Sequence, residues 1–205
     1  PGEWLPEPVP ETETPEDGLA RRDDLSYALL HLMEGLSPAE RAAFVLAECL
    51  AWSHDEIASA LARQPAACRQ LLARARRKLG DRSSPPRPVA RAFLDRFLAA
   101  LASGDAEAVL ATLAEDATLW SDGGGRARAA MRPAHGSRAV SRLLVGAAAG
   151  HPDATVRMAW IDGLPALLIE EGGAVVGVLA FDCTGSGLAR GVYFVTNPEK
   201  LAACR

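Results

Sequence analysis

The sequence contains no recognisable segment for membrane insertion or secretion. It has no run of about twenty apolar residues, so we predict no membrane span. No signal peptide is visible either, because the opening stretch PGEWLPEPVPETETPEDG is acidic and rich in proline. An initiator Met is also missing, and we expect a processed form or a fragment of a longer protein.

Cysteines are few and have no spacing typical of metal ligands. The chain contains four, Cys49, Cys68, Cys183 and Cys204, without a C-x-x-C pair among them. We therefore predict no metal site and no cofactor. Cys49 and Cys68 fall on apolar helix faces, where a free thiol behaves as a small hydrophobic side chain. This use of cysteine fits a reducing cytoplasm.

Excess positive charge is absent from the chain as a whole but present in one segment. The net charge of −4 argues against a general nucleic-acid binder. Residues 1–24 hold eight acidic residues and two arginines, whereas residues 63–82 hold seven basic residues and one acidic residue. A local basic segment is typical of a module that docks on phosphates. Charge alone leaves open the alternative of a merely solvated, arginine-rich helix face.

Residues 53–79 predict two helices separated by a short break. Ser53 and Glu56 have the spacing of a capping box, and Pro65 suits the first turn of the second helix. In the second helix, apolar residues repeat at i, i+4, i+7 and i+11, namely Cys68, Leu72, Ala75 and Leu79. Basic and amide side chains lie off this face. The pattern indicates a helix-turn-helix that reads DNA.

The second helix of such a motif places its N-terminal residues near base edges in the major groove. Arg and Gln can bond guanine and adenine bidentately, and Ala can contact the thymine methyl group. The residues predicted to read bases are Ala66, Ala67, Arg69, Gln70 and Arg74. Arg63, Arg77 and Lys78 are predicted to neutralise phosphates. Arg76 fits a structural role as well as it fits a DNA contact.

Composition divides the chain into two domains and two linkers. Residues 1–22, with five prolines, and residues 83–88, SSPPRP, are predicted to be linkers. Residues 23–82 predict an all-α helix-turn-helix bundle of four short helices, beginning with DDLSYALLHLMEGL. The second helix of this bundle, SPAERAAFVLAECLAW, begins with Ser37 and Glu40 in another capping box. Its predicted inward stripe is Phe44, Val45, Cys49 and Trp52.

Residues 89–205 predict an α+β domain. Helical patterns run through VARAFLDRFLAALASGDAEAVLATLA. Four strand patterns follow, and DG, GG and GSG turns separate them. These patterns are ATVRMAWID, PALLIEE, AVVGVLAFDC and GLARGVYFV. Two or three helices followed by consecutive hairpins favour a curved antiparallel sheet wrapped on helices.

These motifs resemble two known families. Residues 36–79, with a proline-capped helix, an S-x-x-E-I-A helix and an R-x-R-R-K helix, resemble region 4 of the bacterial extracytoplasmic-function sigma factors. Residues 90–201 resemble a SnoaL-like domain, the cone-shaped fold shared with ketosteroid isomerases. One sigma subgroup carries such a domain as a C-terminal extension, with three motifs similar to WLPEP at 4–8, DGGGR at 122–126 and NPEKL at 197–201. No segment resembles sigma region 2, so we expect no transcription initiation by this chain alone.

The resemblance implies partners and a mode of regulation. Region 4 is expected to recognise the −35 promoter element and to bind the flap of the RNA polymerase β subunit. The extension is expected to contact sigma regions 2 and 4 of the same full-length protein and to regulate them in cis. The residues implied in this are Trp4, Leu5, Pro6, Asp122, Gly123, Gly124, Gly125, Arg126, Asn197, Pro198, Glu199, Lys200 and Leu201. Trp4 either inserts in a pocket of the C-terminal domain or stays exposed in the linker.

Two alternatives come from the same fold class. A ketosteroid-isomerase-type enzyme would need a carboxylate of raised pKa in the cone, and the available titratable residues are Asp122, Glu170, Asp182 and His135. The sequence contains no paired carboxylates at a telling spacing and no Tyr–Asp donor pair, and an Asp in DGGG is typical of a turn. We therefore predict no enzyme. A ligand-sensing domain fused to a helix-turn-helix module is the other alternative.

Overall fold

The computed structural model describes residues 4–11, 33, 35–79, 85–125, 130 and 132–204. The chain divides into a helical unit, Pro15–Arg82, and an α+β unit that combines Ser83–Arg205 with Pro1–Thr14. The N-terminal segment therefore belongs with the C-terminal half of the chain, although the sequence predicts a linker over 1–22. The helix predicted at DDLSYALLHLMEGL lies outside the described residues, except for residues 33, 35 and 36.

In the helical unit, the described helices are α1 (Pro38–Glu48), α2 (His54–Ala60) and α3 (Pro65–Leu79). Both predicted capping boxes are confirmed. The Ser37 N–H donates to Glu40 Oε2 at 2.9 Å, and the Ser53 N–H donates to Glu56 Oε2 at 2.8 Å. Because each box satisfies N–H groups that no helical carbonyl can reach, it defines where its helix begins.

The predicted apolar face of α3 is confirmed, since Cys68, Leu72, Ala75 and Leu79 are all buried. The inward stripe predicted for α1 is only partly correct. Phe44 is buried, Val45 and Cys49 are half-buried, and Trp52 is 40% exposed. The prediction for Trp52 was wrong because α1 ends at Glu48, so the helical period no longer determines the direction of the Trp52 side chain. Ala43 is buried instead.

A short connection joins α2 to α3. The Arg63 N–H donates to the Ala58 carbonyl at 2.9 Å and the Ala62 N–H to the Ser59 carbonyl at 3.3 Å, the pairing of a Schellman motif. Ala62 accordingly has φ of 51°, a left-handed conformation that usually favours glycine. The two helices of the motif are thus separated by a defined turn.

The α+β unit contains three helices, six strands and a terminal 3₁₀ helix among its described residues. These are α4 (Arg87–Ala102), α5 (Ala106–Leu110), β1 (Leu113–Asp122), β2 (Ala134–His135), α6 (Ser137–Ala149), β3 (Thr155–Ile161), β4 (Leu164–Glu171), β5 (Ala174–Cys183), β6 (Ala189–Val195) and the 3₁₀ helix Lys200–Cys204. The four predicted strands are confirmed. The helical pattern predicted up to residue 114 was wrong at its end, where β1 begins.

The sheet is mixed, with strand order β2-β1-β6-β5-β4-β3. The predicted antiparallel arrangement holds for every pair except β1 and β6, which are parallel. The long connection between these two strands, which contains α6 and four other strands, permits a parallel pair that no hairpin could form. The helices pack on the sheet through Phe93, Phe97 and Phe181, whose ring centroids lie 4.8–5.8 Å apart.

Residues 4–11 run along this same unit. Pro10 forms an antiparallel bridge with Ile161, and the Glu11 N–H donates to the Trp160 carbonyl at 2.9 Å. The segment thereby pairs with β3, the last strand at one edge of the sheet. In the part of the chain that the structure describes, no helix is long and apolar enough to cross a membrane.

Candidate functional sites

Helix α3 carries most of the residues predicted to contact DNA. Six of them are exposed on it, namely Ala66, Arg69, Gln70, Arg74, Arg77 and Lys78. Arg63 is also exposed but lies before the helix begins, and Ala67 is half-buried. The structure thus brings the predicted DNA-binding residues onto one helix and the turn that precedes it.

Two of these basic residues bind a buried carboxylate that the sequence reasoning treated only as a helix cap. Glu40, with a side chain 5% exposed, accepts from Lys78 Nζ at 2.8 Å and lies 3.3 Å from Arg74 Nε. The hydrogen bond from Lys78, and then that from the Ser37 N–H, lower the pKa of Glu40 to about 2. Glu40 therefore stays ionised and holds both cations against α1.

The remaining basic side chains of this region differ in their partners. Arg76 Nη2 lies 2.6 Å from Glu48 Oε1, so Arg76 has a structural contact with α1. Within the described ranges, no ion pair involves Arg63, Arg69 or Arg77. These three guanidinium groups give the surface positive charge that no described carboxylate compensates.

In the α+β unit, the three motifs WLPEP, DGGGR and NPEKL meet at the carboxylate of Asp122. Its Oδ2 accepts from the Leu5 N–H at 3.0 Å and from Lys200 Nζ at 2.5 Å, and its Oδ1 accepts from the Gly124 N–H at 2.8 Å. Lys200 Nζ also donates to the Leu5 carbonyl. We call Leu5, Asp122, Gly124, Asn197 and Lys200 the motif junction.

The environment of Asp122 stabilises its charged form. Burial raises the pKa of Asp122, but the hydrogen bonds from Lys200, Leu5 and Gly124 together outweigh it and lower the pKa below its ordinary value. Both carboxylate oxygens are occupied by these donors. The junction is therefore a buried ion pair with additional hydrogen bonds, which is the arrangement that such a pair requires.

The N-terminal motif is anchored by Leu5 rather than by Trp4. Leu5 is fully buried, whereas Trp4 is 60% exposed and its ring centroid lies 4.1 Å from Lys200 Nζ. Trp4 thus does not insert in a pocket, and it stacks on the cation of the NPEKL motif. Pro6 is half-buried. Of the two alternatives that the sequence left open for Trp4, the exposed one is therefore correct, and its neighbour Leu5 is the buried residue.

The glycines and the NPEKL turn complete the junction. Gly124 has φ of +60°, and a Cβ on it would lie 2.5–2.6 Å from the Asn197 side chain. Asn197 is buried, its Oδ1 accepts from the Glu199 N–H at 3.1 Å, and its carbonyl accepts from the Lys200 and Leu201 N–H groups. Gly123 and Leu201 are buried, Gly125, Pro198 and Glu199 are exposed, and Arg126 lies outside the described residues.

A second attachment of the N-terminal segment lies at Glu11, which the sequence reasoning missed. Its Oε1 accepts from the Gly163 N–H at 2.8 Å and its Oε2 accepts from Arg87 Nη2 at 2.6 Å. The Arg87 guanidinium also lies 4.4 Å from the Trp160 ring centroid. Residues 11 and 87, which precede and follow the helical unit in the sequence, are thereby held together.

The groups that an enzyme would need do not converge. A cavity of about 620 Å³ lies between α4, α6 and the sheet, and His151 is the titratable residue among its described lining residues. None of the four predicted candidates lines it. Glu170 binds Arg157, Asp182 binds Arg190 and His135 contacts Thr118, while Asp122 lies in the motif junction. The described residues also contain no cluster of three metal-ligating side chains.

Comparison with known proteins agrees with this architecture. Residues 26–79 match the family described as Sigma-70, region 4, and residues 94–199 match the SnoaL-like domain. The ECF RNA polymerase sigma factor SigJ of Mycobacterium tuberculosis is 36% identical over 152 residues, which cover 71% of this chain and 49% of that protein. The chain belongs to the sigma factors that carry a SnoaL-like domain. Both families predicted from the sequence are thus confirmed.

Further members of this group are similar over most of the chain. The probable ECF RNA polymerase sigma factor SigI of M. tuberculosis is 31% identical over 199 residues, covering 93% of this chain and 64% of that protein. The crystal structure of the M. tuberculosis extracytoplasmic function sigma factor SigJ aligns with a TM-score of 0.74 and 29% identity, over 98% of this chain and 75% of that one. The matched part of the chain therefore spans about half of the length of SigJ and a little under two thirds of the length of SigI. These relatives are named as sigma factors and not as enzymes, in agreement with the non-enzymatic prediction.

Proposed function

We propose that this chain supplies the promoter- and polymerase-binding part of a cytoplasmic transcription initiation factor, and that its SnoaL-like domain regulates this activity in cis. Residues 23–82 are assigned to region 4 and residues 89–205 to the SnoaL-like domain. The observation that carries the DNA-binding half is the exposed side of α3. Arg69 and Arg77 there, and Arg63 in the preceding turn, have no ion pair among the described residues.

The proposed DNA target is the −35 promoter element. A helix of 15 residues that follows a capped helix and a defined turn has the form of a recognition helix, which lies in the major groove. The exposed Arg69 and Gln70 lie in its N-terminal half, where base edges are within reach. Arg63 and Arg77 are proposed to neutralise phosphates at the two ends of the contact.

The proposed polymerase contact is with the flap of the β subunit. Leu50 and Trp52 lie in the connection between α1 and α2, and both are exposed although they are large and apolar. Neighbouring apolar side chains that are exposed together are typical of a surface that binds another protein. These two residues are proposed to form part of the flap contact.

The regulatory half of the proposal depends on the motif junction. The resemblance places WLPEP in the connection between sigma regions 2 and 4, and here Leu5 of that motif binds Asp122 and Lys200 of the SnoaL-like domain. Glu11 adds a second attachment through Arg87. By holding this connection, the SnoaL-like domain is proposed to restrict how regions 2 and 4 of the same full-length protein are arranged on the polymerase.

The DNA-binding half is tested by the salt dependence of binding to duplex promoter DNA. The full chain is compared with the double variant Arg69→Ala/Arg77→Ala, and Arg91→Ala on α4 serves as the control because it is an exposed arginine of the other unit. The double variant should bind more weakly, with a salt slope reduced by about 0.9 for each phosphate that it no longer neutralises. An unchanged slope in the double variant contradicts DNA binding by this face.

The regulatory half is tested with isolated polymerase flap and sigma region 2 fragments. Their affinities for the full chain are compared with those for Lys200→Met, which removes the cation of the junction and keeps an unbranched side chain. The variant should bind one or both fragments with changed affinity, because the connecting segment is released. Unchanged affinity for both fragments would leave the DNA-binding half intact and reject regulation through the junction.

A further inference from the structure

Helix α3 has an exposed stripe opposite its buried one. Ala66, Gln70, Ala73 and Arg77 repeat at i, i+4, i+7 and i+11, and all four are exposed. The buried stripe of Cys68, Leu72, Ala75 and Leu79 has the same spacing but is displaced by two residues. Two residues correspond to about 200° around a helix of 3.6 residues per turn, so the two stripes face opposite directions.

Three of the four long basic side chains that flank this stripe on α3 are held by acidic residues of α1, and Arg69 is the fourth. Arg74 and Lys78, one turn apart on one flank, both bind Glu40, and Ala67 on that flank is half-buried. Arg76, on the other flank, binds Glu48. The outward stripe therefore consists of two small residues, one amide and one arginine, with no described acid bound to it.

We propose that this stripe, the reading ridge, is the surface of α3 that enters the major groove, and that Ala73 within it is a specificity-determining residue. The inference rests on the proposed DNA-binding function and deepens it. Arg74, which the sequence places among the base-reading residues, is confined by Glu40 to the DNA backbone. Ala73, absent from the sequence prediction, takes the central position between Gln70 and Arg77.

The chemistry of the ridge fits base recognition. Ala66 and Ala73 let the helix backbone approach the bases closely, and their methyl groups can contact the thymine methyl group. Gln70, between them, can bond adenine bidentately. Arg77 lies in the last turn, where the helix leaves the groove and a phosphate is the nearer partner.

Glu40 has a defined part in this arrangement. A carboxylate close to DNA repels phosphates unless cations neutralise it. With Arg74 and Lys78 bound, the group of three carries one net positive charge and presents both cations at the flank of the ridge. Glu40 is therefore a positioning residue, since it acts on DNA only through the two basic side chains.

The test is selection of binding sites from randomised duplex DNA by the full 205-residue chain and by Ala73→Gln. Gln is a strong helix former, so α3 should remain folded. The control is Ala139→Gln, an exposed alanine on α6 of the other unit. Ala73→Gln should change the preferred base at one or two adjacent positions by about fivefold or more, with an unchanged salt slope, and Ala139→Gln should change neither.

Two further variants test the flank. Arg74→Ala should lower affinity for all sequences by a similar factor, and loss of discrimination at one base pair would overturn the assignment of Arg74 to the backbone. Glu40→Gln keeps the capping box, because Gln also serves at that position, and removes one negative charge. Its salt slope should become steeper by up to about 0.9, and an unchanged slope would overturn the role of Glu40.

Failure of the ridge and failure of the proposed function give different results. If the wild-type chain enriches a DNA sequence and Ala73→Gln enriches the same one with equal affinity, the proposed role of the reading ridge is overturned, whereas the proposed DNA binding is not. If the wild-type chain enriches no sequence and shows no salt-dependent affinity, both are overturned together.

Discussion

Lys200 and Asp122 form an ion pair in which Nζ lies 2.5 Å from Oδ2, with side chains 13% and 6% exposed. The same ammonium group donates to the Leu5 carbonyl and lies under the Trp4 ring. One cation thus contacts two other segments of the chain, the N-terminal segment and the end of β1. Its removal would leave a buried carboxylate without its counter-charge, which is strongly unfavourable.

Lys200→Met is therefore expected to destabilise the α+β unit by about 1.5–3 kcal/mol, the range for hydrogen bonds to charged groups. Hydrogen exchange of the β1 and β6 amides measures the stability of this unit separately from that of the helical unit. Arg91→Met is the matched control, because Arg91 lies 3.9 Å from Asp95 in an exposed pair that contributes little. Equal destabilisation by the two variants would contradict the importance of the junction.

We expect alanine substitution to cost more stability at Leu5 than at Trp4, although Leu5 is the smaller residue. Leu5→Ala removes a fully buried side chain and should destabilise the α+β unit by about 2–5 kcal/mol. Trp4→Ala removes an exposed cation–π contact, at about 0.5–1 kcal/mol. Urea unfolding followed by near-ultraviolet circular dichroism compares the two. A larger destabilisation by Trp4→Ala would restore the pocket-insertion hypothesis for that residue.

Gly124 and Gly125 provide a paired test of close packing in the junction. Both have positive φ, so an alanine at either position is strained by about 1–2 kcal/mol. At Gly124 the new Cβ would also displace the buried Asn197 side chain and break its bond to the Glu199 N–H, adding about 1–3 kcal/mol. The midpoint temperature of thermal unfolding should be lower for Gly124→Ala than for Gly125→Ala. Equal midpoints would show that Asn197 relaxes freely.

Acid should weaken the helical unit through Glu40. Its pKa in the folded chain is lowered to about 2, whereas an unfolded Glu titrates near 4.5. Since the unfolded state then binds the proton first, the stabilisation is present above about pH 4.5 and is lost as the pH falls towards 2. The free energy of unfolding of the helical unit, measured by urea unfolding at a series of pH values in this range, should fall more steeply with decreasing pH for wild type than for Glu40→Gln. Parallel pH profiles would contradict the pairing of Glu40 with Lys78.

The sequence predicted the local elements well because their determinants are close together in the chain. The Ser37–Glu40 and Ser53–Glu56 boxes depend on residues three positions apart, and the buried stripe of α3 depends on the helical period. The four hairpin strands were predicted from their turns, and Asp162 and Gly163 indeed both have positive φ between β3 and β4. Trp52 failed where the helical period ended.

The features that the sequence left undecided join residues far apart. Glu40 and Lys78 are 38 positions apart, Asp122 and Lys200 are 78 apart, and Leu5 and Asp122 are 117 apart. The parallel pairing of β1 with β6 is of the same kind. Each depends on the path of the chain between the partners, on which neither helical nor strand periodicity has any bearing.

By itself, the sequence determined the helix caps, the apolar face of α3, the hairpin strands and the membership of both families, because these follow from spacings of a few residues and from recognisable motifs. Only the tertiary structure decided that three distant motifs share one carboxylate, that Leu5 rather than Trp4 is buried, and that Glu40 binds two of the predicted DNA contacts. The physical reason is that burial and ion pairing depend on which surfaces meet when the chain packs.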